Sequence, residues 1–254
     1  MATIITFDIG NTNTLAGIWQ EDVLADTFRI STDISKTSDE YGVLFSEILR
    51  NKNISNIQGG IISSVVPQLV EVIKEAAFKY LNVELINLTH KSKMPVKLAL
   101  DNNSEIGADR IANASAAMIK YKLPVIVIDF GTATTFDIVN SKGCFIGGLI
   151  APGLSIQASA LSKFTSKLPK LKIEAPKTAI GSNTISAMLS GIVTGHACMI
   201  SGMIKKCEEE LKETATIVLT GGYSPVLYDC TNYSTIDKNL TLFGLKELYY
   251  LNME

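Results

Sequence analysis

The feature that most constrains the fold of this 254-residue chain is an apolar run that ends in Asp-x-Gly and occurs twice. The first copy lies at residues 4–19 and the second at residues 125–139. In each copy a β-rich run passes through a turn of glycine and small polar residues into a second β-rich run, which predicts a β-hairpin. Two equivalent hairpins predict a duplicated fold, and we expect one domain at residues 1–120 and another at residues 121–254.

Helical patterns alternate with the predicted strands, which indicates an α/β protein. Thr37 and Glu40 have the spacing of a capping box, and Pro67 is well placed to begin a second helix. Residues 183–212 contain no helix breaker except isolated glycines, so they predict one long helix. Its small residues favour close packing, either within the chain or against a second subunit.

Composition restricts the classes of ligand. Hydrophobic residues make up 46% of the chain and charged residues 19%, which is typical of a folded globular protein. The net charge of -2, with both signs interleaved, gives no electrostatic footprint for nucleic acid or an anionic membrane, so small molecules are the expected ligands. The apolar stretches are strand-sized and the N-terminus lacks a signal-peptide core, so we expect a cytoplasmic protein that binds no membrane.

The cysteines and histidines do not form the pattern of a metal site. The four cysteines are Cys144, Cys198, Cys207 and Cys230. They include no Cys-x-x-Cys pair, and in an intracellular protein buried thiols are expected rather than disulfides. His196 lies close to Cys198 in the sequence, but His90 is the only other histidine, which leaves too few ligands for zinc.

The two hairpin turns are candidates for phosphate binding. The chain contains neither G-x-x-x-x-G-K-[ST] nor G-x-G-x-x-G, so another kind of phosphate loop is required. Glycine in each turn allows backbone N–H groups to point at phosphate oxygens. Asp8 and Asp129 would repel phosphate directly, but they can hold a cation that bridges to it. One Asp-x-Gly would indicate an ordinary turn, whereas its recurrence favours a nucleotide and metal site.

Three further segments could contribute to binding. The glycine-rich residues 147–153 and 220–222 would let adenosine lie against the backbone. Residues 107–110 open an apolar-periodic segment and place Asp109 near a helix N-terminus, where an acidic side chain also complements the helix dipole. The five lysines within residues 163–177 are more typical of a solvated loop than of a phosphate clamp.

Five motifs in order along the chain resemble those of type III pantothenate kinases. They are Asp8-Ile9-Gly10-Asn11-Thr12, Ser64-Val65-Val66-Pro67, Gly107-Ala108-Asp109-Arg110, Asp129-Phe130-Gly131-Thr132-Ala133-Thr134 and Thr220-Gly221-Gly222. The resemblance spans nearly the whole chain. It implies two duplicated ribonuclease H-like domains of the actin-like ATPase fold, with ATP in the cleft between them, and a homodimer. It also implies transfer of the ATP γ-phosphate to pantothenate, the first step of coenzyme A biosynthesis.

The same resemblance implies a role for each matching residue. The residues implied to bind the nucleotide are Asp8, Ile9, Gly10, Asn11, Thr12, Asn13, Thr14, Leu15 and Thr132. Asp8 would also bind Mg²⁺, directly or through water, and Asp129 would bind a monovalent cation, K⁺ or NH₄⁺. The residues implied to contact pantothenate are Gly107, Ala108, Asp109, Arg110 and Thr184, with Asp109 as the catalytic base.

One departure from the family pattern concerns the substrate. Where the family often has Tyr-Asp-Asn-Pro, this chain has residues 100–103 with Leu100 in the tyrosine's place, so we expect weaker binding of pantothenate. Two other functions agree with parts of the pattern. One is a related phosphotransferase that acts on a sugar or a carboxylate, and the other is a kinase-like accessory protein that regulates transcription. The intact Asp8, Asp109 and Asp129 favour an enzyme over the accessory protein.

Overall fold

The computed structural model describes residues 2–231, 233 and 235–253. The strands are β1 (Thr3–Ile9), β2 (Asn13–Gln20), β3 (Val23–Ser31), β4 (Ile57–Ser64), β5 (Leu85–Asn87), β6 (Lys97–Leu98), β7 (Val125–Phe130), β8 (Ala133–Val139), β9 (Cys144–Pro152) and β10 (Thr216–Thr220). The α-helices are α1 (Ser38–Asn51), α2 (Pro67–Leu81), α3 (Ala108–Lys120), α4 (Leu154–Phe164), α5 (Thr184–Leu189), α6 (Gly195–Leu211), α7 (Ser224–Tyr228) and α8 (Leu240–Asn252). A 3₁₀ turn lies at Asn103–Glu105 and a π-helical segment at Ser190–Thr194.

The chain divides into two compact units. The first comprises Met1–Pro95, Asp101–Ile119 and Leu240–Glu254. The second comprises Val96–Leu100 and Lys120–Asn239. Each unit contains one five-stranded mixed sheet with helices, so the α/β class predicted from the sequence is confirmed.

The first sheet has the strand order β3-β2-β1-β4-β5. The antiparallel pairs β1–β2 and β2–β3 form a meander, and β4 and β5 extend it in parallel. Helices α1 and α2 cover one face over an aromatic core that includes Phe7, Tyr41 and Phe45. Both predicted helix starts are confirmed, because Thr37 and Glu40 form a reciprocal capping box and Pro67 is the first residue of α2.

The C-terminal helix α8 belongs to the first unit. The predicted division into residues 1–120 and 121–254 would place it in the second. Its residues Leu242, Leu245 and Leu248 are fully buried and form one core cluster with Ile4 and Ile61 of the first sheet. The apolar face of α8 therefore covers the side of this sheet that α1 and α2 leave open. The compact units differ from the predicted halves for this reason, and because Val96–Leu100, which contains β6, belongs to the second unit.

The second sheet repeats the plan of the first, with the strand order β10-β7-β8-β9-β6. The antiparallel pairs β7–β8 and β8–β9 form a meander, and β10 is parallel to β7, as β4 is to β1. The two hairpins that the sequence repeat predicts are therefore confirmed as β1–β2 and β7–β8. The duplication of the fold is visible in the matching order and direction of four strands in each sheet.

The long helix predicted at residues 183–212 is interrupted in its middle. Helices α5 and α6 continue into each other through the π-helical segment, and together they span Thr184–Leu211. In the described ranges this is the one helix long and apolar enough to cross a membrane, but half of its most apolar window is buried. A core helix of a globular protein has the same length and composition, so the finding is weak evidence for a membrane span.

The four cysteines are free thiols, as the sequence predicts, but they are not all buried. Cys207 is buried, Cys144 and Cys230 are half-buried, and Cys198 is exposed. The expectation of buried thiols is therefore wrong for Cys198, because it lies on the outward face of α6 while its neighbours Ala197 and Ile200 face the core.

Candidate functional site

The first hairpin turn places exposed polar groups directly after Asp8. The half-buried Asp8 lies in β1 between Leu15 of β2 and Ser63 of β4. In the turn, the backbone N–H of Gly10 donates to the carbonyl of Asn13 at 3.0 Å. A Cβ at position 10 would lie 3.2 Å from that carbonyl oxygen, so glycine allows the turn to close tightly.

The nucleotide-binding residues predicted in this turn differ in what they can offer a ligand. Asn11, Thr12 and Asn13 are exposed, so their side chains are accessible. Thr14 is buried and its hydroxyl pairs with that of Thr32 at 3.0 Å. Ile9 is buried in the core. The side chains of residues 11–13 are therefore the groups that this turn could offer a ligand, whereas Ile9 and Thr14 are packed inside the protein beneath the turn.

The second hairpin turn brings the Asp129 and Thr220 motifs together. Asp129 of β7 lies opposite Thr135 of β8 and Thr220 of β10. The next residue, Gly221, has a positive φ of 86°. A Cβ on Gly221 would lie 2.3 Å from an Asp129 carboxylate oxygen and 2.5 Å from the backbone nitrogen of Phe130. Glycine at position 221 therefore makes room for the Asp129 carboxylate, a role that the sequence alone does not indicate.

Thr132, the other predicted nucleotide contact, is exposed at the tip of this turn. Its carbonyl accepts a hydrogen bond of 3.1 Å from the backbone N–H of Gly153. A Cβ on Gly153 would lie 2.3 Å from the same oxygen. There is thus no room for a side chain where residues 147–153 contact the turn at position 153. The N–H of Gly153 fixes the direction of the Thr132 carbonyl.

Asp109 lies in the first turn of α3, where the sequence predicts a helix start. Its carboxylate accepts a hydrogen bond of 2.9 Å from the backbone N–H of Arg110. A Cβ on Gly107 would lie 2.5 Å from the same carboxylate oxygen, so this position excludes any larger residue while the carboxylate keeps its orientation. Burial raises the pKa of Asp109, and the hydrogen bond and charge of Arg110 oppose that rise only in part.

A carboxylate with a raised pKa is a stronger base than an ordinary aspartate. Its protonated and ionised forms are closer in free energy at neutral pH, which favours proton transfer from a substrate hydroxyl. The position of Asp109 at a helix N-terminus and its partial burial therefore suit the role of general base.

The remaining predicted residues are divided between the two units. Asp8 and residues 107–110 belong to the first unit, whereas Asp129, Thr132 and Thr184 belong to the second. Thr184 is the exposed first residue of α5, whose N-cap Asn183 forms a reciprocal capping box with Ser186 in the first turn of the helix.

The cation sites that the sequence suggests would use single carboxylates. No group of three or more His, Cys, Asp or Glu side chains that could hold a metal occurs among the described residues. A cation at Asp8 or Asp129 must therefore take its other ligands from backbone carbonyls, hydroxyls, water or bound phosphate. Hard cations such as Mg²⁺ accept all of these oxygen ligands, so the donor chemistry is compatible with a nucleotide-bound ion.

The comparisons with known proteins identify the family. A family model described as type III pantothenate kinase matches residues 4–206. A type III pantothenate kinase from Finegoldia magna is 42% identical over 98% of this chain and 97% of its own length. Another from Citrifermentans bemidjiense is 40% identical, over 98% of this chain and 99% of its own length. The chain belongs to the type III pantothenate kinase family.

Solved structures that resemble this kinase agree with the predicted actin-like fold. A Campylobacter jejuni protein assigned to the Baf family of transcriptional activators has a TM-score of 0.62 at 22% identity, covering 98% of this chain and 99% of its own. The activator of 2-hydroxyisocaproyl-CoA dehydratase from Clostridium difficile, solved with bound ADPNP, has a TM-score of 0.58 at 12% identity, covering 99% and 95%. At such identities the likeness shows the fold alone.

Proposed function

We propose that this chain is an ATP-dependent pantothenate kinase, which transfers the γ-phosphate of ATP to the primary hydroxyl of pantothenate and yields 4′-phosphopantothenate. The observation that carries the proposal is the near full-length similarity to curated members of the family. The test is incubation with ATP in the presence and absence of pantothenate, with the product identified by mass spectrometry. Phosphorylation of a sugar or a carboxylate instead of pantothenate would contradict it.

The proposed mechanism uses Asp109 as the base that accepts the proton of the pantothenate hydroxyl. Phosphoryl transfer passes through a loose transition state, so the protein mainly positions the reactants and neutralises charge. Gly107 allows the carboxylate to stay close to the helix N-terminus, and the Arg110 N–H orients it. We assign residues 107–110 and Thr184 to the binding of pantothenate.

We assign residues of each hairpin turn to the binding of ATP. In the first turn we assign residues 8–15, with Asp8 toward the Mg²⁺ that accompanies ATP. In the second turn we assign Thr132. The Mg²⁺ ion would supply charge neutralisation between the phosphates. The side-chain amides and hydroxyl of the exposed residues 11–13 suit phosphate oxygens, which supports this assignment.

Asp129 is the proposed ligand of a monovalent cation. We expect activity to rise when K⁺ or NH₄⁺ replaces Na⁺, and Asp129→Ala to abolish that response, because the carboxylate supplies the charge that holds the ion. The measurement is the initial rate against the concentration of each chloride salt at constant ionic strength. The matched control is Asp229→Ala, which removes an exposed carboxylate of the same unit and should keep the response. An active enzyme indifferent to these cations would refute the assignment.

Leu100 stands where the family often has tyrosine, so a hydrogen bond to pantothenate is expected to be missing. A hydrogen bond contributes about 0.5 to 1.5 kcal/mol net, so the loss corresponds to at most roughly tenfold in affinity. We expect Leu100→Tyr to lower the KM for pantothenate without changing kcat or the KM for ATP. Steady-state kinetics with each substrate varied would measure this. A higher KM for pantothenate in a well-folded variant would mean that the pocket is built around leucine.

We also propose that the protein is a cytoplasmic homodimer, with the outward face of α5 and α6 as the interface. This face carries the exposed small residues Ala187, Gly191, Gly195, Cys198 and Gly202. In the described part of the chain, no heavy atom lies within 4 Å of a Cβ built on any of those three glycines. A second backbone could therefore approach closely. Sedimentation equilibrium tests the proposal, and a monomer at micromolar concentration would contradict it.

A further inference from the structure

The sequence suggests His196 only as a possible metal ligand, but the buried histidine belongs to a series of side-chain hydrogen bonds that continues to the surface. Its Nε2 lies 2.9 Å from the hydroxyl of Thr134, and its Nδ1 lies 2.9 Å from the side-chain nitrogen of Gln157. The same Gln157 nitrogen donates to the carbonyl of Pro152 at 2.9 Å. His196 and Thr134 are 3% and 1% exposed, so water cannot replace the bond between them, whereas Gln157 is half-buried and Pro152 is exposed.

The chain of hydrogen bonds closes on the second hairpin turn. Pro152 is bonded covalently to Gly153, whose N–H donates to the carbonyl of Thr132 at 3.1 Å. Thr132 is in turn joined to Thr134 through Ala133. Both ends of the three-residue segment 132–134 are therefore held, one by Gly153 and the other by His196.

The partners determine the protonation state of His196. The Pro152 carbonyl can only accept, so the Gln157 atom that faces it must be the amide nitrogen, and its second hydrogen points at His196 Nδ1. Nδ1 must then accept, which places the single ring proton on Nε2, where it donates to the Thr134 hydroxyl. Burial lowers the pKa of His196 and so favours the same neutral form.

The histidine also contacts the residue next to Asp129. The His196 ring lies edge-on to Phe130, with 6.3 Å between the ring centroids. It is the second residue of α6, directly after the π-helical segment. Irregular helical turns of this kind are frequent at functional sites. The His196 ring therefore contacts Phe130 before the β7–β8 turn and Thr134 after it.

We infer that His196 and Gln157 are positioning residues for nucleotide binding, which hold the segment 132–134 so that Thr132 faces ATP. The inference rests on the proposed contact between Thr132 and ATP. Neither residue touches the nucleotide; each acts through the turn. A purely structural role would predict a loss of stability without a selective change in ATP affinity.

The test removes the hydroxyl of Thr134, the last group in the series of hydrogen bonds from Pro152 through Gln157 and His196. Thr134→Val keeps the shape of the side chain but leaves the His196 N–H without an acceptor. We expect the KM for ATP to rise by about 2- to 10-fold, the equivalent of one net hydrogen bond, with the KM for pantothenate unchanged. Thr134→Ser keeps a hydroxyl and should stay close to the parent KM for ATP.

The matched control is Thr216→Val in the same sheet. The Thr216 hydroxyl donates to the carbonyl of Lys122 at 2.8 Å, and Thr216 pairs with Val125 at the opposite end of β7 from the turn. This variant also loses one hydrogen bond, but an exposed one that water can replace, so it should lower the melting temperature by less than Thr134→Val and leave the KM for ATP unchanged. Equal effects of Thr134→Val and Thr216→Val on the KM for ATP would overturn the inference.

The hydrogen-bond chain can be tested independently of activity. The protein has two histidines, so long-range ¹H–¹⁵N spectra of the imidazoles contain two spin systems, and His90→Gln assigns them. We expect His196 to be neutral with its proton on Nε2. A proton on Nδ1, or a cationic ring at neutral pH, would overturn the inference.

A further variant separates this inference from the proposed role of Thr132. If Thr132→Ala raises the KM for ATP and Thr134→Val does not, the nucleotide contact stands and the positioning role falls. If Thr132→Ala leaves the KM for ATP unchanged, the proposed contact is wrong, and the inference that depends on it falls too.

Discussion

Asp109→Asn is expected to lower kcat by about 10²- to 10⁴-fold, the usual contribution of a general base. The amide has nearly the shape of the carboxylate but cannot accept the hydroxyl proton of pantothenate. The hydrogen bond from the Arg110 N–H can be kept by the amide oxygen. Steady-state kinetics at saturating ATP and pantothenate would measure the loss.

The same substitution should leave the folded state as stable as before or more stable. Because burial raises the pKa of Asp109 in the folded protein, the ionised carboxylate disfavours folding at neutral pH. Any stability associated with this raised pKa is present below the unfolded-state pKa and is lost as pH rises through the folded-state pKa. The asparagine does not ionise, so its melting temperature at neutral pH should be equal to or higher than that of the parent.

A matched control separates base chemistry from the helix dipole. Asp39 is the second residue of α1, as Asp109 is of α3, and it is exposed. Asp39→Asn therefore removes the same charge from the same helical position, and we expect kcat to be unchanged. Asp109→Asn with parental kcat, or both variants equally slow, would eliminate Asp109 as the base.

Gly221→Ala is expected to reduce both the stability of the second unit and its response to cations. The added Cβ would meet the Asp129 carboxylate and the backbone of Phe130, and position 221 has a positive φ in addition. We expect the added Cβ to displace the Asp129 carboxylate, and the activation by K⁺ or NH₄⁺ to be lost for that reason. The free energy of unfolding should fall by the positive-φ cost of about 1–2 kcal/mol and by an overpacking cost of about 1–3 kcal/mol.

Gly147→Ala isolates the first of these two costs. Gly147 also has a positive φ, of 132°, but none of the heavy atoms described in the structure lies within 4 Å of a Cβ built there. Chemical denaturation of both variants, alongside rates in K⁺ and Na⁺, would compare them. If Gly221→Ala is no less stable than Gly147→Ala and keeps its response to K⁺, the steric role of Gly221 is wrong.

Local patterns predict local structure well in this chain. The repeated apolar run predicts both hairpins, and Thr37, Glu40 and Pro67 predict where two helices begin, because each signal depends on residues only a few positions apart. The five motifs likewise predict the family, since their order and spacing are specific. The role of each motif residue toward ATP, cation or pantothenate stays a prediction.

Features that depend on distant residues could not be predicted. The residues of α8 are mostly apolar and buried, but nothing near them in the sequence indicates that the helix lies on the first sheet. The glycine at position 221 suggests only a turn. The structure shows that a larger residue would collide with the carboxylate of Asp129, which is far away in the sequence. His196 is a single histidine on a helix, and nothing near it in the sequence indicates that Thr134 and Gln157 are its partners.

The return of α8 to the first sheet sets an order on the synthesis of the protein. Translation proceeds from the N-terminus, so β1 to β5 leave the ribosome early but lack the leucines of α8 that complete their second core. The continuous stretch Lys120–Asn239, which forms most of the second unit, is made before α8 is. The first unit is therefore begun before the second but completed after it. A nascent chain stalled before residue 240 exposes the apolar residues of the first sheet that α8 would cover.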